Sequence, residues 1–387
     1  MEPAIKSLRE RGREDGYETL KKEVLDRGLC SGCGMCAAVC PKDAITYTPD
    51  GCPVLDQEKD CISCGLCAVH CPRSFSGVNE IERELFSGGR RDELGFKLGQ
   101  FAARSKDPSI LEIAQDGGVV SAMLKHGFES GRIDGAVLSR ADDDFIGAPF
   151  LARSWEEARE AAGSKYNLSP SLVALRWARK EKLERVALVG LPCQIAAFRK
   201  LERTGPKSLT SRVVLTVGIF CSENFCSGLL MDFLRSRGVA PDRITKLDIK
   251  GSFRVTMGEE RIEIPLRDME EIVNPGCLAC RDFTAELADI SVGSVGAPNG
   301  WCAVLTRTKR GKDFVDSMTG DGLLETGKLT KPKTLRRLSY AKRVKGNDRL
   351  IQIMRQEAAL PFQDIELSSE LESRKGGKKK AKKKSGK

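Results

Sequence analysis

Eight of the nine cysteines between residues 30 and 71 fall into two copies of one pattern. Cys30, Cys33, Cys36 and Cys40-Pro41 follow C-x2-C-x2-C-x3-C-P, and Cys61, Cys64, Cys67 and Cys71-Pro72 repeat it. This spacing is the ligand pattern for two 4Fe–4S clusters. Three closely spaced thiolates wrap one cubane from a tight loop, where Gly32, Gly34 and Gly65 permit unusual backbone angles. The fourth cysteine of each run is expected to start a short helix whose other end faces the second cubane. Cys30, Cys33, Cys36 and Cys71 are then expected to hold one cluster, and Cys61, Cys64, Cys67 and Cys40 the other. Zinc knuckles are the competing reading. Zinc sites usually join two C-x2-C pairs across a longer gap and need no second four-cysteine run. Two such clusters carry one electron each and do no bond chemistry, so a substrate must come from elsewhere in the chain or from a partner.

Seven cysteines remain. Cys52 lies outside both runs and reads as a passive thiol, and His70, beside a ligand, reads as a packing or supporting residue. Cys277 and Cys280 form a further C-x2-C pair. Cys193 and Cys221 each follow an apolar, strand-like run. These four fit one metal site, but zinc or a redox dithiol fits the spacing equally well. Cys226 and Cys302 read as small buried hydrophobes. Only two histidines exist, His70 and His126, which argues against His-rich metal sites and against Ser/His/Asp or Cys/His catalysis. No catalytic acid or base is assigned.

The chain has 387 residues, enough for two or three domains, and a net charge of +10. Residues 374–387 carry one Arg, eight Lys and no acid, so the rest of the chain is nearly neutral. That tail reads as a disordered, solvated extension, or as a dock for an acidic subunit or anionic lipid. It has no aromatic residue to stack on bases, which argues against nucleic acid. No apolar run reaches the ~18–20 residues of a membrane span, and residues 1–20 are charged throughout. A cytoplasmic protein is expected, in which thiols stay free for metals or redox work.

The elements that must position these residues follow in order. Residues 1–28 read as a charged, partly helical lead-in, 29–76 as the cysteine domain, and 77–100 as a linker. From 101 to 345 helix-like and strand-like pieces alternate, giving a mixed α/β (α+β) body, followed by an extension over 346–373. Ser154-Trp155-Glu156-Glu157 is a capping box. Arg185–Gly190, Arg212–Phe220, Ile244–Ile249, Arg261–Pro265, Asp289–Gly293 and Ala303–Thr308 read as strands, and Cys193–Arg203 as a helix. Asp116-Gly117-Gly118 precedes an apolar stretch. It offers backbone N–H groups to a phosphate, or is a plain glycine-rich helix cap. Lys165 reads as a phosphate partner or a surface lysine. Gly293 to Gly300 reads as a loop against a flat ring or as a strand-exit turn. No G-x-G-x-x-G fingerprint appears, so NAD is not indicated.

The same segments carry a resemblance. The first block is similar to bacterial two-cluster ferredoxins. The body resembles the family of beta subunits of coenzyme F420 hydrogenases and dehydrogenases. The residues that carry it are Gln115–Val120, Gly163-Ser164-Lys165-Tyr166 with Ser169-Pro170, Gly190–Gln194, Gly218–Phe225, and Cys277-x2-Cys280 running through Asp282–Asp289 to Gly293–Gly296 and Gly300-Trp301. The resemblance covers roughly residues 101–345. It implies a flavoprotein body with FAD, coenzyme F420 as substrate, and a third 4Fe–4S cluster carried onto Cys193, Cys221, Cys277 and Cys280. On this basis Gln115, Asp116, Gly117, Gly118 and Lys165 are the expected cofactor-binding residues. The order of modules resembles the electron-input subunit of reduced-coenzyme-F420 dehydrogenase of methanogens. It implies other oxidoreductase subunits or a ferredoxin-like carrier as partners, in a complex peripheral to the cytoplasmic face of a membrane. Two alternatives come from the same resemblance: a ferredoxin-dependent reductase of another substrate, and the beta subunit of a formate dehydrogenase or hydrogenase.

Overall fold

The computed structural model describes residues 16–48, 50–56, 60–74, 78–86, 91–142 and 145–358. The chain divides into residues 1–347 and 348–387. In the second unit residues 348–358 are helical, and the lysine tail lies outside the described residues. Among the described residues no helix is long and apolar enough to cross a membrane.

The cysteine domain is built from two four-residue helices, Met35–Ala38 and Leu66–Val69, and a small hairpin. The hairpin pairs β1 (Ile45–Tyr47) with β2 (Pro53–Leu55). Each helix is entered through a left-handed glycine, Gly34 at φ 94° and Gly65 at φ 68°. A side chain at Gly34 would also place its Cβ 2.2 Å from the Pro170 carbonyl oxygen, so glycine is required twice over. One expectation is corrected. The short helices do not begin at Cys40 and Cys71; they end just before them, at the helix caps Val39 and His70. The reason is Pro41 and Pro72, which push the preceding cysteine out of helical geometry.

The body is an eight-stranded sheet with helices on both faces. Its strands are β3 (Gly99–Ser105), β4 (Gly135–Ala141), β5 (Gly147–Ala152), β6 (Val186–Gly190), β7 (Val213–Ile219), β11 (Ile290–Gly293), β12 (Cys302–Thr306) and β13 (Leu324–Gly327). The spatial order is β13-β3-β12-β11-β7-β6-β4-β5. The central four, β11, β7, β6 and β4, are parallel, and antiparallel strands flank them on both sides. Their near-continuous apolar character fits a sheet covered on both faces. Along β4, Val137 turns towards Leu175 and Leu188, while Ala136 and Leu138 turn towards Leu124. A second sheet, β8 (Lys246–Ile249), β9 (Phe253–Met257) and β10 (Glu260–Ile264), forms its own core around Phe253.

The expected strands and the helix, seen as Pro192–Thr204, are present with ends moved by one or two residues. Ser154 caps the helix Trp155–Glu160 by accepting from Glu157 N at 3.2 Å. The return arm differs from a capping box, because Glu157 accepts from Arg153 N at 2.8 Å. The expected linker is also corrected. It contains the helix Val78–Phe86, whose Ile81 and Phe86 pack against the body.

The cysteine domain shares its core with the body. Met35, Ala38 and Val39 lie in one cluster with Leu172, Ile195, Phe198 and Leu201. Phe198 is fully buried there, so its truncation to Ala costs about 3–5 kcal/mol. Backbone contacts reinforce this seam. Leu172 N donates to Cys33 O at 3.2 Å, Arg176 Nη1 to Ala37 O at 3.2 Å, and Asn274 Nδ2 to Cys30 O at 2.9 Å.

Candidate metal centres

Two cavities lie in the cysteine domain. One, of about 320 Å³, is lined by Cys30, Cys33, Cys36 and Cys71. The other, of about 340 Å³, is lined by Cys40, Cys61, Cys64 and Cys67. Each therefore gathers three thiols from one run and the last thiol of the other. Leu20, Val24 and Leu25 of the lead-in wall the first cavity, and Tyr17 walls the second. The lead-in is thus part of the site.

Among the described residues, no three His, Cys, Asp or Glu side chains lie close enough to share a single metal ion. A tetrahedral zinc with sulfurs at about 2.3 Å would hold its thiolates in mutual contact. A cubane binds each thiolate on a different iron and so needs four thiolates around a cage, and each of these cavities is lined by four cysteines. Donors stand ready to turn towards the sulfurs. Gly32 N reaches Cys30 Sγ and Ala44 N reaches Cys40 Sγ, each at 3.4 Å, and the Tyr47 hydroxyl lies 3.2 Å from Cys36 Sγ. Burial raises the thiol pKa of Cys36 and of Cys67 to about 12, and it pushes Cys30 and Cys33 up as well. The metal-free thiols are therefore protonated near neutral pH, and loading must release their protons.

The third cysteine set is assembled by sheet topology. Cys193 and Cys221 follow the carboxyl ends of neighbouring parallel strands β6 and β7. Cys277 lies in the short helix Pro275–Leu278, and Cys280 follows it. The four lie within electrostatic reach of one another: Cys193 feels Cys280 and Cys277, and Cys221 feels Cys277, Cys193 and Cys280. Asn224 N and Asn274 Nδ2 reach Cys277 Sγ at 3.4 and 3.7 Å. Cys193 also faces Cys33, so this set adjoins the first cavity. Cys36 feels Cys67 in turn, which links the first cavity to the second.

Several residues at these sites carry no signature in the sequence. Arg73 donates from Nη1 to Ala279 O at 3.1 Å and from Nη2 to Gly276 O at 3.2 Å, while its buried Nε has no acceptor. Lys342, on the helix Pro332–Ala358, donates to Ser222 O beside the same cysteines. Lys200 donates to the carbonyls of Cys71 (2.7 Å) and Ser74. Arg73 stands two residues after a ligand run, and that position is its only signal; the two lysines resemble any other.

The expected flavin residues lie at the same edge of the sheet. β12 and β3 run antiparallel to their neighbours, which brings Gly300-Trp301-Cys302 and Gln115–Gly118 to the carboxyl ends of the parallel strands. Gly117 packs so closely that a Cβ would lie 2.8 Å from Cys302 N, and Gly118 opens the helix Val119–Glu129 at φ 68°. Gln115 Nε2 donates to Leu247 O at 3.1 Å, its Oε1 accepts from Ser164 N at 3.2 Å, and Asp116 pairs with Lys250 at 3.0 Å. The amides of Val119, Gly117 and Gly118 face the Cys302 sulfur, whose pKa burial raises to about 11. Lys165 spends its ammonium on Ala161 O, Ala162 O and Gly163 O, and burial lowers its pKa to about 8. Side chains at Gly163 and Gly300 would meet only open space. Gly293 presses on the Phe220 ring, so the ring beside it belongs to the protein.

The remaining residues match their passive roles in part. His70 is buried with Nδ1 3.0 Å from Leu66 O, Cys302 is buried, Cys226 is half-buried, and Cys52 is exposed.

Comparison with known proteins adds three family matches. Residues 11–75 match the 4Fe-4S dicluster domain. Residues 100–176 and 183–332 match the N-terminal and C-terminal parts of the coenzyme F420 hydrogenase/dehydrogenase beta subunit. The chain is 39% identical to the beta subunit of a coenzyme F420 hydrogenase of Methanococcus voltae, over 67% of this chain and 95% of that one. It is 32% identical to a subunit of the F(420)H(2) dehydrogenase of Methanosarcina mazei, over 80% and 91%. It is 34% identical to a coenzyme F420-dependent sulfite reductase of Methanocaldococcus jannaschii, over 87% of this chain and 54% of that one. Among solved structures, a chain of the F420-reducing [NiFe] hydrogenase complex from Methanosarcina barkeri superposes with a TM-score of 0.66 at 33% identity, covering 68% of this chain and 94% of that one.

Proposed function

The chain belongs to the family of coenzyme F420 hydrogenase/dehydrogenase beta subunits, with a 4Fe–4S dicluster domain at its N-terminus, and from that premise we propose how it moves electrons. It is an F420-dependent oxidoreductase component that exchanges electrons between coenzyme F420 and a partner subunit, through FAD and three 4Fe–4S clusters. The observation that carries this reading is the row of three four-cysteine sets, each adjoining the next. When bound, FAD supplies the exchange between a hydride's electron pair and single electrons, which cubanes alone cannot perform.

The chain's own residues do the rest. Cys193, Cys221, Cys277 and Cys280 hold the cluster at the sheet edge. Cys30, Cys33, Cys36 and Cys71 hold the next, and Cys40, Cys61, Cys64 and Cys67 the outermost. Gln115, Asp116, Gly117, Gly118 and Lys165 border the flavin side of the same edge, with open space at Gly163 and Gly300. No side chain need abstract a proton, in keeping with the scarcity of histidine. Buried apolar walls such as Leu20, Val24 and Met35 keep water from the first dicluster cavity. The exposed Cys61 and Ile62, the latter 54% exposed, mark the outer end. The protein works in the cytoplasm, docked on other oxidoreductase subunits of a complex peripheral to a membrane.

Reduced coenzyme F420 added anaerobically should bleach the cluster absorbance of FAD-replete protein and leave FAD-free protein unchanged. Bleaching without FAD would overturn the flavin's place. Cluster reduction by a ferredoxin alone, with no response to coenzyme F420, would favour a ferredoxin-dependent reductase.

A further inference from the structure

The body cysteines are flanked by two cations that the cluster ligation itself does not require. Arg73 enters from the dicluster domain and faces Cys280, Cys193 and Cys277. Its two terminal nitrogens are fixed by the carbonyls of Ala279 and Gly276, and its buried Nε is left without a protein acceptor. Lys342 enters from a different element and faces Cys280, Cys221 and Cys277. Its ammonium is held by the Ser222 carbonyl. Both cations are thus anchored to backbone beside the same cysteine set: Ala279 and Gly276 adjoin Cys280 and Cys277, and Ser222 adjoins Cys221.

We propose that Arg73 and Lys342 form a cationic clamp that raises the reduction potential of the cluster held by Cys193, Cys221, Cys277 and Cys280. The inference rests on the three-cluster reading above. The physics is that of a charged couple in a weakly polarisable site. Reduction adds one electron and no proton to an already anionic cluster, and the four thiolates stay bound. A neighbouring cation stabilises the more negative state more than the less negative one, and most strongly where it is shielded from water. The unpartnered Nε supplies a donor for cluster sulfur, which acts in the same direction.

The clamp also joins two modules. Arg73 lies two residues beyond Cys71, a ligand of the neighbouring cluster, so docking of the dicluster domain brings a cation to the body cluster.

The test is a dithionite titration of the anaerobically purified full chain, followed by electron paramagnetic resonance. Iron and sulfide are counted for every sample. The body signal is identified as the one lost in Cys277→Ser. Arg73→Gln keeps an amide for the two carbonyls and removes the charge; Lys342→Met removes the other. In each, the reduced-to-oxidised ratio of the body cluster at the wild-type midpoint should fall at least tenfold, roughly 59 mV for one electron. The outermost cluster should not shift. Arg73→Lys and Lys342→Arg should restore most of the effect. About twelve irons with ratios within twofold of wild type would overturn the clamp. About eight irons in the wild type would instead overturn the third cluster itself. If Arg73→Gln loses iron, Lys342→Met decides, since it removes no contact between the modules.

Discussion

Cys40 and Cys71 show how a residue's partner differs from its sequence neighbours. Each follows its own run by four residues, yet each lines the cavity of the other run. Cys40→Ser should therefore damage the cluster of Cys61, Cys64 and Cys67 and spare that of Cys30, Cys33 and Cys36. Electron paramagnetic resonance of the single mutant distinguishes the two; loss of the Cys30-side signal would refute the crossing. The cysteine spacing is legible because it encodes a local loop that must wrap a cage. The cations are not, because Lys200 and Lys342 owe their roles to partners more than a hundred residues away. Lys165 reads as a phosphate partner in the sequence, and its ammonium instead caps the end of a helix. Its pKa is lowered from 10.5 to about 8, so between those values the unfolded chain binds more protons than the folded one. Stability of the flavin-free protein should rise with pH from about 8 to 10.5, and Lys165→Met should flatten that slope in unfolding curves. If FAD phosphate binds there, adding FAD should abolish the slope in the wild type, because an anion raises the lysine pKa again.

Elements explain what the residues cannot. β6 and β7 are readable as apolar runs because both faces of a parallel strand are buried. β3 is not, since it mixes small, polar and charged residues, and β5 is not, since it is short, rich in small residues and interrupted by Pro149. The helix Val78–Phe86 hides in a linker-like sequence because its polar residues dominate and its two anchors, Ile81 and Phe86, are few. The seam between cysteine domain and body depends on close backbone approach. A Cβ at Gly276 would lie 2.1 Å from Cys30 O, in contact with main chain that cannot move aside cheaply. Gly276→Val should separate the modules at this point. Stopped-flow reduction should then show the body cluster filling normally and the dicluster domain filling at least about tenfold more slowly, about 1.4 kcal/mol in barrier. Equal rates would show that the seam does not carry the current.

For the molecule as a whole, the path has a direction in space if not in time. As proposed, it begins at the carboxyl edge of the sheet, where open α/β sheets bind ligands, and leaves near the exposed Ile62. An exposed isoleucine beside the outermost cavity suits a short-lived contact with another redox protein. Ile62→Glu should lower the second-order rate of electron transfer to a ferredoxin-type acceptor by about tenfold while leaving internal cluster reduction unchanged. An unaltered rate would move the exit elsewhere. The overall order of an N-terminal cluster domain followed by an α/β body is readable from cysteine spacing and apolar runs. How the two fuse into one core is not, because it depends on long-range packing of Met35 and Val39 against Phe198 and Leu201.

Chemical analysis with Mössbauer spectroscopy of anaerobically purified, iron-57-enriched protein bears most directly on the three cubane sites. About twelve irons and twelve sulfides per chain, all in cubane environments, are expected. Zinc in place of iron, or iron without acid-labile sulfide, would contradict it.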